Sequence, residues 1–275
     1  MTSLARKLRR ENKVIGFVPT MGALHAGHLE LVQKARQMSD IVVVSIFVNP
    51  TQFNEQNDFE KYPRNLTDDA ALLAEYQVDY VFAPEAKEIY RKGFATFVTV
   101  DELSEKLEGA SRPGHFRGVA TIVTILFNTI RPDFAFFGQK DAQQVAVIQR
   151  LTGDLGFDTE VVVVPIVRED SGLAMSSRNE RLSSEQRQAA SIIYAALRQA
   201  EAAVQNGESN ASVVAEIVHK KIESEPLAKI EYISVVDNQT LDPVEEIDEN
   251  PVLMAVAVRF GEIRLIDNIV INQKQ

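Results

Sequence analysis

The sequence predicts a doubly wound, parallel-sheet α/β domain followed by a smaller α+β domain, on three observations. Strand-like and helix-like stretches alternate from Val14 to Ile166. The strands include continuous apolar runs, above all Ile41-Val42-Val43-Val44-Ser45-Ile46-Phe47-Val48, of the kind that a parallel sheet buries on both faces. After Arg168 the pattern changes to helices followed by three strands. The boundary falls after Val167, giving a Rossmann-like domain over residues 1–167 and a C-terminal domain over 168–275.

The elements follow in order. Met1 to Asn12 is basic and lacks the apolar core of a secretory signal; Leu4 and Leu8 make it a short amphipathic helix. Strands are expected at Val14–Val18, Ile41–Val48, Tyr80–Phe82, Phe97–Val100, Phe134–Phe137 and Glu160–Ile166. Helices are expected at Gly27–Met38, Leu66–Tyr76, Val119–Ile130 and Ala142–Leu155. In the second domain, Ser183 with Gln186 forms a capping box that opens one long alanine-rich helix to Gln205. A helix over Ala211–Glu223 follows the Asn206-Gly207 break, and strands are expected at Ile230–Val236, Val252–Phe260 and Ile263–Ile271. Phe260-Gly261-Glu262-Ile263 is a tight hairpin, and Gly172 near the junction is a candidate hinge.

Composition narrows the function. The 275 residues are 45% hydrophobic and 25% charged, with no run approaching a membrane span. There is no cysteine, which excludes disulfides and thiolate catalysis and fits a cytoplasmic location. A net charge of −10 argues against a general nucleic-acid surface.

In a doubly wound sheet, ligands sit beyond the carboxyl ends of the strands, so the residues after each strand carry the chemical information. The first strand leads into Pro19-Thr20-Met21-Gly22-Ala23-Leu24-His25-Ala26-Gly27-His28 and then a helix. Free N–H groups and the positive helix end attract phosphate there. His25 and His28, three residues apart, can touch one polyphosphate, and Gly27 lets a flat ligand approach the backbone. The bland alternative is a pair of partial caps. A histidine-held metal is a second alternative, although the chain has only four histidines and no third ligand stands near this turn.

Three later turns follow the same logic. Asn49-Pro50-Thr51-Gln52 offers neutral amides suited to a hydroxylated carboxylate, or is a simple surface turn. Gly138-Gln139-Lys140-Asp141 supplies a point positive charge, and Asp141 is either an N-cap or a Mg²⁺ ligand; Gln144, one turn on, can read a hydroxyl or carboxylate. Met175-Ser176-Ser177-Arg178 matches phosphate oxygens, or is a polar linker. Asp58 to Arg64 reads as a structured loop, and the glycine-rich basic stretch Gly109 to Gly118 as a lid or anion contact in which His115 is structural.

Taken together, the His-x-Gly-His turn and the Ser-Ser-Arg loop resemble the paired signatures of the nucleotidyltransferase superfamily. With Phe47 to Phe53, Tyr62-Pro63-Arg64, Leu107-Glu108-Gly109, Arg112 to Phe116, Phe137 to Asp141 and Arg264-Leu265-Ile266-Asp267-Asn268, nearly the whole chain resembles the pantoate–β-alanine ligase family. The resemblance implies that pantoate, β-alanine and ATP give pantothenate, AMP and pyrophosphate, with Mg²⁺, in a cytoplasmic homodimer that binds neither nucleic acid nor membrane. It places ATP against Met21, Gly22, Ala23, Leu24, His25, Ala26, Gly27 and His28, against Gly138, Gln139, Lys140 and Asp141, and against Val167, Met175, Ser176, Ser177 and Arg178. It gives Gln52 and Gln144 to pantoate, with Gln52 also near β-alanine, and the catalytic assignment to His28, supported by His25. The residues themselves add Lys140 and Arg178 to the catalytic set, Asn49 to the substrate site and Asp141 as the candidate metal ligand. The C-terminal domain is expected to act as a lid over the water-labile acyl adenylate. The segment before the first strand is a little shorter than in that family, which points to a start-site or leading-strand difference.

Two rival functions remain at this level. A simple adenylyl- or cytidylyltransferase would need a further phosphate-binding cluster for its acceptor, whereas Gln52 and Gln144 are neutral. A silent ATP-binding regulator would have no use for both histidines, Lys140 and Arg178.

Overall fold

The computed structural model describes residues 1–54, 59–60 and 62–272. The chain divides into two compact units, 1–165 and 166–275, a division two residues before the boundary drawn from sequence. The last three residues of the expected second domain lie outside the described residues.

The first unit is built on a five-stranded parallel sheet of order β3-β2-β1-β4-β5. Its strands are β1 (Ile15–Thr20), β2 (Ile41–Ile46), β3 (Tyr80–Phe82), β4 (Phe134–Gly138) and β5 (Glu160–Val164). The register runs Ile15 against Ile41 through Thr20 against Ile46, and Phe134 against Glu160 through Gly138 against Val164. The helices of this unit among the described residues are α1 (Thr2–Arg10), α2 (Ala26–Met38), α3 (Leu66–Glu75), α4 (Ala86–Ile89), α5 (Leu107–Ser111), α6 (His115–Ile130) and α7 (Ala142–Asp154).

Both faces of the central strands β1, β2 and β4 are buried, as their apolar runs require. Ile15, Phe17, Val43, Ala135 and Phe137 pack against Leu8 of α1, the apolar stripe Val119-Ile122-Val123-Leu126-Phe127-Ile130 of α6, and Val145 and Ile148 of α7. Val18, Val42, Val44, Phe136 and Val164 face α2, through Leu31, Val32 and Ala35, and α3, through Leu73. Connectivity leaves β1 toward β2 on one side and β4 on the other, so the sheet's switch point lies between β1 and β4. The turns after these two strands are the natural ligand position.

In the second unit, α8 (Ser184–Ala190), α9 (Ile192–Gln205) and α10 (Ala211–Glu223) accompany an antiparallel sheet of order β6-β7-β8. Its strands are β6 (Ala228–Asp237), β7 (Val252–Phe260) and β8 (Ile263–Ile271). Ile193, Leu197, Ala200 and Val204 of α9 and Val214, Val218 and Ile222 of α10 bury one face, with Met254, Val256, Val258 and Phe260 of β7. The hairpin turns at Gly261 with φ +59°.

Three sequence expectations are corrected. Phe97–Val100 is not a strand: its Val98 N–H donates to the Thr121 hydroxyl of α6 rather than to a sheet partner. The alanine-rich helix is two helices, because at Ser191 the N–H bonds back to Gln188 O and the hydroxyl takes the same carbonyl. The capping box at Ser183 and Gln186 does open the first of them. The helix expected from Val119 begins at His115, so the glycine-rich stretch before it is not all loop; α5 occupies part of it. Gly172 (φ +87°) is demanded by packing, since a Cβ there would lie 2.6 Å from the Tyr194 ring. In the loop from Asp58 to Arg64, Asp58 and Lys61 lie outside the described residues, while Arg64 stacks over Phe59 at 4.7 Å.

Candidate active site

Two turns meet at the switch point of the first unit. After β1, Thr20 turns its hydroxyl to Ser45 O (2.7 Å) and accepts Gly22 N–H (3.2 Å), which anchors the chain as it leaves the sheet. Gly22 (φ +84°) and Ala23 (φ +51°) then take left-handed conformations, and a Cβ on Gly22 would stand 2.8 Å from Asp69. Asp69, buried on α3, closes the turn by accepting Ala23 N–H (3.0 Å) and Leu24 N–H (2.9 Å).

The two histidines start α2 as a reciprocal cap. His25 Nδ1 accepts Gly27 N–H at 3.1 Å, and His28 Nδ1 accepts His25 N–H at 3.4 Å, with the ring centroids 4.1 Å apart. Capping and ligand binding are therefore compatible rather than alternative: an Nδ1 that accepts leaves the proton of a neutral ring on Nε2. Burial pushes His28 down to about 3, with the His25 and Lys140 charges adding to it and Asp141 opposing. At neutral pH in the free protein His28 is thus a neutral N–H donor, not the imidazolium that an ordinary value near 6.5 would allow.

After β4, Gly138 leads into a 3₁₀ turn over Gln139–Asp141 before α7. Asp141 stands at the N-cap of α7 without a side-chain capping bond, so the simple capping alternative fails. Lys140 is half-buried and Asp141 exposed, and both sit close enough to His28 to act on its charge. Gln144 lies half-buried in the first turn of α7.

After β2 the chain forms a 3₁₀ turn, Pro50–Gln52, capped by Asn49. Asn49 is buried and fully committed within the protein. Its Oδ1 accepts Thr51 N–H, the Thr51 hydroxyl (2.9 Å) and the Tyr90 hydroxyl (2.7 Å). Its Nδ2 donates to Gly118 O (3.1 Å) and to Gln52 Oε1 (3.0 Å). Two backbone groups fix which way this amide points, and it in turn fixes Gln52. The Gln52 Nε2 donates to the Met21 sulfur on the first turn, 2.9 Å away, and keeps a second N–H. Gln52 therefore offers a ligand a donor. Asn49 thus spends both ends of its amide on these bonds and orients the Gln52 side chain.

The same turn is held by α6. His115 is buried with Nδ1 2.7 Å from Gln52 O, and burial, then the Arg112 charge, lowers it to about 4. Gly118 lets α6 touch Thr51 so closely that a Cβ would lie 2.4 Å from Thr51 O. Burial raises the Tyr90 hydroxyl above its ordinary range, so it remains a donor.

In the second unit, Arg168 and Ala174 form an isolated antiparallel bridge that leads to Met175 and a 3₁₀ turn, Ser177–Arg181. Ser176 caps that turn by accepting Arg178 N–H (3.2 Å), and Arg178 is exposed. Asp69, Tyr90 and Gly118 were not singled out by sequence. Asp69 sits 46 residues from Ala23, and no local pattern links them.

No cluster of three or more histidines, cysteines, aspartates or glutamates capable of holding a metal occurs among the described residues. No helix among them is long and apolar enough to cross a membrane.

Residues 1–270 match the Pantoate-beta-alanine ligase family. The chain is 54% identical over 271 residues to the pantothenate synthetase of Heliobacterium modesticaldum, covering 98% of this chain and 96% of that one. It is 50% identical over 271 residues to that of Pelotomaculum thermopropionicum, with the same coverage. The structure superposes on the crystal structure of pantothenate synthetase from Thermus thermophilus with a TM-score of 0.90, 45% identity and 96% coverage of both chains. It also superposes on the pantoate-beta-alanine ligase of Francisella tularensis complexed with beta-gamma ATP and beta-alanine (TM-score 0.78, 37% identity, 98% and 95% coverage). With this fold and sequence matched over nearly its whole length, the chain belongs to the pantoate–β-alanine ligase family.

Proposed function

We propose that this protein joins pantoate to β-alanine in two steps, through an enzyme-bound pantoyl adenylate, and releases AMP and pyrophosphate. The observation that carries the reading is the convergence of the His25/His28 cap, Lys140 and the Gln52 amide at one end of the sheet, in a chain of this family. A carboxylate does not acylate an amine at neutral pH because its oxide is too poor a leaving group. In the first step a pantoate carboxylate oxygen attacks the α-phosphorus of ATP and the bond from that phosphorus to the bridging oxygen breaks, expelling pyrophosphate. In the second, the free amine of β-alanine attacks the acyl carbon, AMP departs with its oxygen, and the nitrogen loses a proton.

The residues fit these demands. Nε2–H groups of His25 and His28 donate to phosphate oxygens, and Lys140 adds positive charge where negative charge grows. Because His28 is buried and uncharged before ATP arrives, its part is positioning and electrostatic stabilisation rather than general acid catalysis. Gln52 donates to a pantoate oxygen and Gln144 is assigned to the same substrate, with Asn49 as their support. Met21 to His28 and Gly138 to Asp141 lie against ATP in this reading, as do Val167 and Met175 to Arg178 of the second unit. Arg178 and the Ser176 and Ser177 hydroxyls are suited to phosphate oxygens.

Mg²⁺ is commonly held by one or two carboxylates together with phosphates and water, and the uncapped Asp141 carboxylate fits that pattern. Such an ion would neutralise phosphate charge. We further infer, from the sequence resemblance alone, that the protein works as a homodimer in the cytoplasm.

The test is to incubate the protein with ATP, Mg²⁺ and pantoate, with and without β-alanine, and identify products by mass spectrometry. Pantothenate and AMP in the complete mixture, with bound pantoyl adenylate when β-alanine is withheld, is the expected result. ATP that binds yet stays intact in every mixture contradicts it and favours the regulator; AMP retained in the product favours a nucleotidyltransferase.

A further inference from the structure

The Arg264-Leu265-Ile266-Asp267-Asn268 motif has no part in the chemistry above, yet it contains one of the most deeply buried carboxylates of the second unit. Asp267 on β8 is 3% exposed and receives a forked contact from Arg168, at 2.6 and 3.0 Å, across 99 residues of sequence. Asp267 also accepts Asn268 N–H at 2.8 Å. Arg168 is spoken for on every side. Its NH1 donates to Gly172 O (3.0 Å), and its guanidinium stacks 3.8 Å over the Tyr194 ring of α9. A Cβ at residue 172 would enter that same ring.

These contacts fasten a small hairpin. Glu169 N–H donates to Leu173 O, Gly172 N–H to Glu169 O, and Met175 N–H to Val167 O. Ser176 to Arg178 leave directly from its end. A second carboxylate grips the other end of that loop. Glu169 accepts Asn179 Nδ2 at 2.8 Å and a two-point contact from Arg187 of α8 at 2.8 and 3.0 Å. Asn179, 3% exposed, also donates to Ala174 O at 3.0 Å.

We propose that the Arg168–Asp267 pair and the Glu169 bridge to Asn179 and Arg187 are positioning devices that set the geometry of the Ser176–Arg178 loop for the ATP phosphates. The proposal rests on the reading that this loop contacts ATP. A buried, forked ion pair contributes little net stability compared with an apolar replacement, but it fixes direction closely. Here both carboxylates fix residues that flank the same short stretch. A hydroxyl pair and an exposed arginine on a loop have no rigidity of their own, and phosphate recognition needs the donors placed within a fraction of an ångström.

Arg187 gives the cleanest test, because its side chain is half-exposed and a solvent-screened ion pair contributes little to stability. Arg187→Gln is expected to raise the ATP KM, and the Kd for α,β-methylene-ATP by calorimetry, about three- to tenfold. The pantoate KM and the melting temperature should stay within experimental error, and Arg187→Lys should recover part of the loss. Asp267→Asn is expected to raise the ATP KM more, alongside a lower melting temperature, when assayed well below its transition.

Arg178→Ala is the control. If it leaves nucleotide affinity unchanged, the loop does not touch ATP, and this proposal falls with that reading. If Arg178→Ala weakens nucleotide binding while Arg187→Gln and Asp267→Asn, both folded, bind it as the wild type does, the two clamps are structural only and the proposal alone is overturned.

Discussion

Gly118→Ala is the perturbation whose consequence can be worked furthest. A Cβ on residue 118 would sit 2.4 Å from Thr51 O, 2.6 Å from Thr51 C and 2.8 Å from Gln52 N. Ordinary contact begins near 3.4 Å, so the 3₁₀ turn and α6 must separate by about 1 Å. All three atoms are backbone, so no rotamer change relieves the clash. The turn cannot simply drift away, because Asn49 Nδ2 holds Gly118 O and His115 holds Gln52 O. The strain therefore reaches Gln52. Alanine gains at most about 1 kcal/mol of helix propensity, and overpacking costs about 1–3 kcal/mol, so the variant should be modestly destabilised and still fold. A 1 Å displacement of a positioning group can cost about 10²-fold. We expect kcat/KM for pantoate to fall by about that factor, with the ATP KM little changed. The assay is initial-rate AMP formation against pantoate concentration at saturating ATP, paired with urea unfolding. Gly153→Ala is the control: nothing lies within 4 Å of its Cβ position in α7, and it should stabilise by about 0.4–1 kcal/mol without altering turnover. A folded Gly118→Ala enzyme with kcat/KM within twofold of wild type would refute the link between this contact and Gln52.

Other consequences follow from single residues. Asp69→Asn keeps one acceptor for the turn after β1 but turns an NH₂ group toward a second N–H, so the ATP KM should rise about tenfold, the weight of one hydrogen bond to a charged group; an effect on pantoate alone would contradict it. His28 and His115 have folded-state values lowered to about 3 and about 4, so the unfolded chain takes up protons first as pH falls below 6.5. Their contribution is complete above pH 6.5 and is lost progressively down to those values. Each histidine should cost up to about 1.4 kcal/mol at pH 5.5 relative to pH 7.5, read by urea unfolding. The pH-dependent part should shrink in His115→Asn, whose amide can still donate to Gln52 O; stability that is flat between these pH values would show that the two rings titrate normally.

Much of this was legible in the sequence because the relevant signals are local. Apolar strand runs, the Ser183 capping box and the hairpin at Gly261 depend on neighbours within a few residues, and β3, β7, β8 and α10 fall where the periodicity puts them. Phe97–Val100 misled because β-branched and aromatic residues suit any half-buried extended segment; what decided its state was a helix hydroxyl 23 residues away. The break at Ser191 carries neither glycine nor proline, so only the back-bonding of a serine marks it. At the site, His25, His28 and Lys140 announced themselves by residue type. The residues that hold them did not. Asp69 looks like a helix-start carboxylate, and the bonds by which Asn49 orients Gln52 and reaches Gly118, 69 residues away, leave no local pattern.

The central claim is that pantoate attacks the α-phosphorus, and oxygen isotopes address it most directly. Pantoate carrying ¹⁸O in both carboxylate positions should deliver one label to AMP and leave the other in the amide carbonyl of pantothenate, with pyrophosphate unlabelled. Label in pyrophosphate or inorganic phosphate, or AMP without label, would contradict the account and place the attack elsewhere.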